Sequence, residues 1–171
     1  MTEEQRSIGT GMYVLAWLAI MTLLGFWFKD VLEKQNNPNQ QLQTRYGESG
    51  VREVSLQRNK YGHYVTNGKI NGHQVVFLLD TGATGVAIPN HIARELKIKR
   101  GQPFQTYTAN GTATAYATRL ETVSVGDIEL SDISAAISPG LQGDEVLLGM
   151  SFLRQIEFTQ RGNTLILKQY P

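Results

Sequence analysis

The sequence predicts a mainly β domain with one or two short helices, preceded by a single transmembrane helix. Three observations predict it. Gly11 to Phe28 is an uncharged apolar run. Two of the Asn-Gly pairs, Asn71-Gly72 and Asn110-Gly111, lie between short runs of strand-forming residues, the pattern of β-hairpins. After about Arg52 the apolar runs are short and punctuated by Gly, Asn, Asp or Pro, as strands are.

Composition narrows the function classes. A chain of 171 residues holds one domain and a further segment. Hydrophobic content of 41% and charge of 18% place most of it among globular sequences. The net charge is +1, and the scattered Lys and Arg make no stripe for nucleic acid. No Cys is present, which excludes thiol catalysis, disulfides and Cys-ligated metal. His63, His73 and His91 lack metal-ligand spacing and read as surface or turn residues. No metal and no other cofactor is expected.

Residues 1–10 form an N-terminal tail, and residues 11–28, GMYVLAWLAIMTLLGFWF, a transmembrane anchor. That run is about 27 Å long at roughly 1.5 Å per residue, close to a bilayer's hydrocarbon thickness. Tyr13 and Trp17 near one end and Trp27 and Phe28 at the other fit interfacial belts. The alternatives are a cleaved signal peptide and a buried core helix. The run passes into Phe26-Trp27-Phe28-Lys29 with no small-residue cleavage site, which favours an uncleaved anchor. Arg6 faces Lys29 and Lys34 across the span, so charge leaves the orientation open. Residues 29–53 read as a flexible linker, because the stretch QNNPNQQLQTRYGESG is poor in apolar groups.

The globular domain spans residues 54–171. Val54 to Leu56 alternates. Tyr61 to Ile70 leads through Asn71-Gly72 into Val75 to Leu79, apolar on both faces and so buried on both. Val86 to Ile88 forms a short strand. His91 to Leu96 forms a short helix with Asn90 as its cap. Phe104 to Thr108 and Thr112 to Leu120 flank Asn110-Gly111 as a second hairpin. Its Ala113, Ala115 and Ala117 bury little area, so it is expected to be mobile. Val123 to Val125, Ile128 to Leu130 and Ile133 to Ile137 follow, with a turn at Gly126-Asp127. Val146 to Leu148 is a buried strand that ends at Gly149 before a short helix. Phe158 and Leu165 to Leu167 give the last strands, joined at Arg161-Gly162-Asn163.

One run carries chemistry: Phe77-Leu78-Leu79-Asp80-Thr81-Gly82-Ala83-Thr84, an apolar strand ending in Asp-Thr-Gly and a small residue. Alone the tripeptide is a weak signal and reads more readily as a turn. The strand before it fixes Asp80 on a rigid element, Gly82 permits close backbone approach, and Thr81 offers a hydroxyl for a buried hydrogen bond. Two carboxylates about 3 Å apart cannot both ionise, so they share a proton; one activates water while the other polarises a carbonyl. This chain supplies one such Asp. Asp127, Asp132, Asp144 and Glu145 lie in turn-like contexts and make poor partners for it within the chain.

Phe77 to Thr84, Thr108-Ala109-Asn110-Gly111 and Val146 to Leu153 together resemble the bacterial membrane-anchored branch of the retropepsin-like aspartic peptidases. Gly62-His63-Tyr64 and Ile70-Asn71-Gly72 fit that pattern also. The resemblance covers roughly residues 54–168. It implies a closed acid-protease β-barrel, a homodimer and a peptide or protein substrate. Asp80 matches the catalytic Asp, and Thr81 the residue bonding across the two-fold axis. Gly82 and Ala83 complete the active-site loop. Thr108, Ala109, Asn110 and Gly111 match the substrate-binding flap, with Tyr107 beside its tip. Leu147-Leu148-Gly149 matches the element beneath the loop. An inner-membrane protein with a periplasmic C-terminal domain is implied too. The expected function is therefore a membrane-anchored aspartic endopeptidase. The same fold also suits a non-catalytic, membrane-tethered dimerisation or peptide-binding module, and a monomeric ligand-binding β domain needs Asp80 to be only a turn residue.

Overall fold

The computed structural model describes residues 3–108 and 111–171. The chain forms two compact units, Met1–Gln35 and Asn36–Pro171.

The first unit belongs to one helix, α1 (Glu3–Asn36). Its apolar side chains from Met12 to Phe28 are exposed, Trp17 at 65% and Phe26 at 69%. By length and composition it is able to cross a membrane, and a signal sequence meets the same test. The helix does not stop at Phe28 as expected. It continues through two i,i+4 pairs, Lys29–Glu33 at 3.6 Å and Lys34–Asp30 at 2.7 Å. Such pairs support a helix where apolar periodicity has ended.

The second unit is nearly all strand. It comprises β1 (Thr44–Tyr46), β2 (Arg52–Gln57), β3 (Tyr64–Ile70), β4 (His73–Leu79), β5 (Val86–Pro89), α2 (Asn90–Glu95), β6 (Pro103–Thr108), β7 (Gly111–Val125), β8 (Ile128–Ser138), β9 (Glu145–Leu148), α3 (Met150–Leu153), β10 (Glu157–Arg161) and β11 (Thr164–Gln169). A seven-stranded sheet has the order β3-β4-β9-β5-β8-β7-β6. A further β3–β7 pairing, Ile70 opposite Val123, closes it on itself. A four-stranded antiparallel sheet has the order β1-β2-β11-β10. Alternate residues of both sheets meet in one core, with Phe77, Ile88, Leu120, Ile137, Leu148 and Phe152 fully buried beside Leu56 and Leu167.

Local chemistry explains most boundaries. Asn71 (φ 49°) and Gly72 (φ 79°) both take positive φ, the primed turn that Asn-Gly favours. α2 begins at Asn90 rather than after it, with Pro89 as the N-cap; the Asn90 side chain accepts from Arg100 instead of capping. Ile128 to Ile137 is one strand, with Asp132 at φ 58° inside it. In the second hairpin Thr108 pairs with Gly111, so Gly111 belongs to β7. Ala115 is buried, Ala113 half-buried and Ala117 exposed.

The expected flexible linker is ordered. Asn39 is 5% exposed and its amide donates to Gln57 O (2.8 Å) and Val65 O (2.7 Å) while accepting from Gln57 N (2.7 Å). Its backbone carbonyl accepts from Thr66 Oγ1 at 3.1 Å and Asn67 N at 3.3 Å. Asn37 donates to Asn67 Oδ1 at 2.8 Å, and Asn59 donates to Asn36 O at 2.9 Å. Residues 36–46 are thus a strap pinned to the β2–β3 region, ending in β1. Composition signalled disorder because the strap contributes few apolar groups. It is held by buried amides instead.

Candidate active site

Asp80 stands where two parallel strands end together. β4 pairs β9 in the register Val76–Glu145 to Leu79–Leu148, and Asp80 N donates to Leu148 O at 3.2 Å. Beyond that the chain turns tightly. Ala83 N donates to Asp80 O at 3.2 Å, and Gly82 N to Asp80 Oδ1 at 2.8 Å. The second bond holds one carboxylate oxygen with a backbone donor. Asp80 is half-buried, Thr81 and Gly82 are exposed, and Ala83 is half-buried. Among the described residues the Thr81 hydroxyl has no hydrogen-bond partner.

The loop rests on the turn between β9 and α3. Met150 N donates to Ala83 O at 2.9 Å. Gly149 lies so close beneath that a methyl group there would sit 2.5 Å from Ala83 O and overlap Gly85 O. Backbone cannot retreat cheaply, so Gly149→Ala is expected to cost about 3 kcal/mol, the upper range for overpacking. Chemical denaturation measures it, and a cost below 1 kcal/mol would show the loop to be compliant.

Ser151 is a supporting residue that sequence reasoning missed. It is buried; its Oγ accepts from Val86 N at 3.0 Å and donates to Ser134 O at 2.9 Å. It ties α3 to β5 and β8 behind the loop. The available signal was one hydroxyl in the apolar run Leu147 to Leu153.

β6 and β7 form an antiparallel hairpin where the flap is expected. The backbone of Thr108 and Gly111 closes the described ladder, while Ala109 and Asn110 lie outside the described residues. Tyr107 is 89% exposed. The other acidic residues are engaged elsewhere or open to solvent. Asp127 accepts from Tyr46 OH at 2.6 Å, a bond that raises the Tyr46 pKa. Asp132 pairs with Arg119, and Asp144 with His91 at 3.0 Å. Glu145 is exposed at the start of β9, His63 holds a turn through its backbone, and His73 is exposed. A concavity of about 690 Å³ lies away from Asp80, over Lys69, Val76, Ile92 and Leu96. Among the described residues no group of three or more His, Cys, Asp or Glu is placed to hold a metal ion.

This closed barrel, with an Asp loop seated on a Leu-Leu-Gly turn, has the fold of the retropepsin-like aspartic proteases. A crystal structure of a retropepsin-like aspartic protease from Rickettsia conorii superposes with a TM-score of 0.59 at 28% identity, covering 76% of this chain and 94% of that one. Residues 66–155 match the family described as "gag-polyprotein putative aspartyl protease", and the chain belongs to that family. Two curated relatives are uncharacterized proteins. One, from the cobV 5′ region of a Sinorhizobium species, is 33% identical over 65% of this chain and 49% of its own length. The other, from Rickettsia prowazekii (strain Madrid E), is 30% identical over 70% of this chain and 52% of its own. The chain spans about half the length of these curated relatives.

Proposed function

We propose that the chain is a membrane-anchored aspartic endopeptidase, active as a homodimer in which two Asp80 carboxylates share a proton and activate one water. The carrying observation is the seating of Asp80: one oxygen is held by Gly82 N–H, and the loop is braced from below by Met150 and Gly149. In this reading the ionised Asp80 takes a proton from water, and the protonated one polarises the peptide carbonyl and passes its proton toward the leaving nitrogen. Thr81 bonds across the two-fold axis. Gly82 and Ala83 line the cleft, and the Thr108–Gly111 flap covers an extended peptide held by backbone hydrogen bonds. Residues 11–28 anchor the chain in the inner membrane, with the domain on the periplasmic side; that placement rests on the resemblance.

The free edge of β10 supports the dimer. β10 ends its sheet, and Arg161 pairs with Thr164 across the two-residue turn Gly162-Asn163. In such a hairpin the flanking pair exchanges both backbone bonds. Glu157, Thr159 and Arg161 therefore bond inward to β11, and the backbone groups of Phe158 and Gln160 point to the open edge. A second copy, antiparallel and centred on Thr159, satisfies them. It also sets Glu157 of each copy opposite Arg161 of the other. Tyr170 OH already steadies Glu157 at 2.8 Å. β10 follows the Asp80 brace in the chain through α3 and its short exit turn.

Glu157→Arg sets like charges face to face and is expected to weaken the dimer about tenfold or more. The exchange Glu157→Arg with Arg161→Glu should restore it, as read by sedimentation equilibrium. Equal dimerisation by all three proteins would discard this seam. The activity itself is tested by cleavage of a peptide library by the full chain in detergent. A folded dimer that cleaves nothing would leave the fold as a peptide-binding module.

A further inference from the structure

We propose that the outer edge of the seven-stranded sheet, from Lys97 to Tyr107, is a second membrane contact that docks on anionic phospholipid headgroups; it rests on the proposed anchor to bring a bilayer within reach.

Among the described residues the edge is continuous and unpaired on its outer side. β6 is the terminal strand of its sheet. Upstream of β6 the chain keeps following β7: Gly101 N donates to Ala117 O at 2.8 Å, Ala117 N to Gln102 O at 2.9 Å, and Thr118 Oγ1 to Lys99 O at 2.9 Å. Lys99 to Tyr107 therefore runs as one line along the rim. Lys97, Lys99 and Arg100 are exposed at one end. Phe104 (43% exposed) and Tyr107 (89% exposed) stand toward the other.

Among the described residues no ion pair joins Lys97, Lys99 or Arg100 to an acid. No Asp or Glu occurs between Leu96 and Leu120. The neighbouring stretch of β8, Ser134 to Ser138, contains none either. Glu95, at the end of α2, is the nearest acid in sequence. Arg119 on β7 is taken up by Asp132, whose carboxyl its hydrogen bond holds below the usual range. Arg100 is fixed in place, its guanidinium 4.7 Å over the Tyr116 ring and bonded to the Asn90 side chain.

An open sheet edge is a pairing hazard that proteins usually blunt with charge along its length. Here the charge is gathered at one end, and the aromatic end is bare. Exposed Phe and Tyr rings partition to the headgroup level of a bilayer. Lys and Arg are attracted to anionic lipid, and three of them give about a hundredfold preference for a strongly anionic surface. That attraction weakens beyond roughly 10 Å at 0.1 M salt. Tethering to the same bilayer keeps the effective lipid concentration high. Basic and aromatic groups on one rim therefore fit a headgroup layer better than bulk water.

Because the chain has no Cys, Gln105→Cys provides a single labelling site between the two aromatic residues. The full chain, carrying an environment-sensitive fluorophore there, is placed in nanodiscs of phosphatidylcholine with or without phosphatidylglycerol. Acrylamide quenching of the label is expected to fall about tenfold with the anionic lipid. It should recover in high salt and in the Lys97→Gln, Lys99→Gln double variant. A label at Tyr61→Cys should not respond. Equal quenching at position 105 in both lipids would overturn the proposal. So would protection given only by added polyglutamate, which would assign the rim to acidic polypeptides. A chain that does not insert would sink the anchor reading alone, and the same label with added vesicles of the two compositions would then decide the lipid contact.

Discussion

Asp80→Asn is expected to reduce peptide cleavage by about a thousandfold or more while leaving the domain folded and dimeric, because in the proposed homodimer both halves of the general acid–base pair are lost at once. The amide is the same size as the carboxylate. Its oxygen can still accept from Gly82 N, so the 2.8 Å bond that seats the loop has a replacement. What the amide cannot do is hold or release a proton near neutral pH. The measurement pairs a cleavage assay with thermal unfolding and sedimentation. Wild-type cleavage by the Asn variant would remove the aspartic mechanism. Loss of cleavage together with loss of folding would call for Asp80→Glu, which keeps the carboxylate and displaces it.

Asn39→Leu is expected to destabilise the domain by about 3 kcal/mol, because it strands the Gln57 amide N–H and the Gln57 and Val65 carbonyls inside the protein. For a domain of this size that lowers Tm by about 10 °C. Leu keeps the volume, so the loss reports unpaired polar groups rather than a cavity. The same logic separates two truncations. A chain starting at residue 36 keeps the strap and β1. A chain starting at residue 54, the boundary read from composition, loses both together with the first residues of β2. The first should unfold cooperatively near the full-length Tm; the second should not. Equal stability of the two would make the strap dispensable.

The strap also marks where the sequence was hardest to read. Asn39 looked like a linker residue because its value lies in partners that are distant in sequence: Gln57, Val65 and Thr66. No local pattern announces a buried amide. By contrast the hairpin at Asn71-Gly72 was legible because the turn chemistry is local, and the strand before Asp80 because apolar runs need no partner to be recognised. The Leu147-Leu148-Gly149 turn was visible as a motif, yet its contact with Ala83 was not. The cap expected at Asn90 differs for a related reason: Pro89 takes that position, and Arg100 bonds the Asn90 oxygen. Ser151 was overlooked because a lone hydroxyl in an apolar run carries no signal of which backbone groups it will serve.

The parallel pairing of β4 with β9 has a consequence for how the protein comes into being. Asp80 and the segment that braces it are separated by about half of the domain's sequence. Contacts of such long range close late in folding, since the entropy of the intervening loop must be overcome first. A chain still being synthesised carries Asp80 long before Leu148, Gly149 and Met150 exist to seat it. The brace forms only when nearly the whole domain has been made. If the chain is the proposed peptidase, its hydrolytic capacity arrives only with completion of the fold, and an unfinished chain is kept from attacking its neighbours.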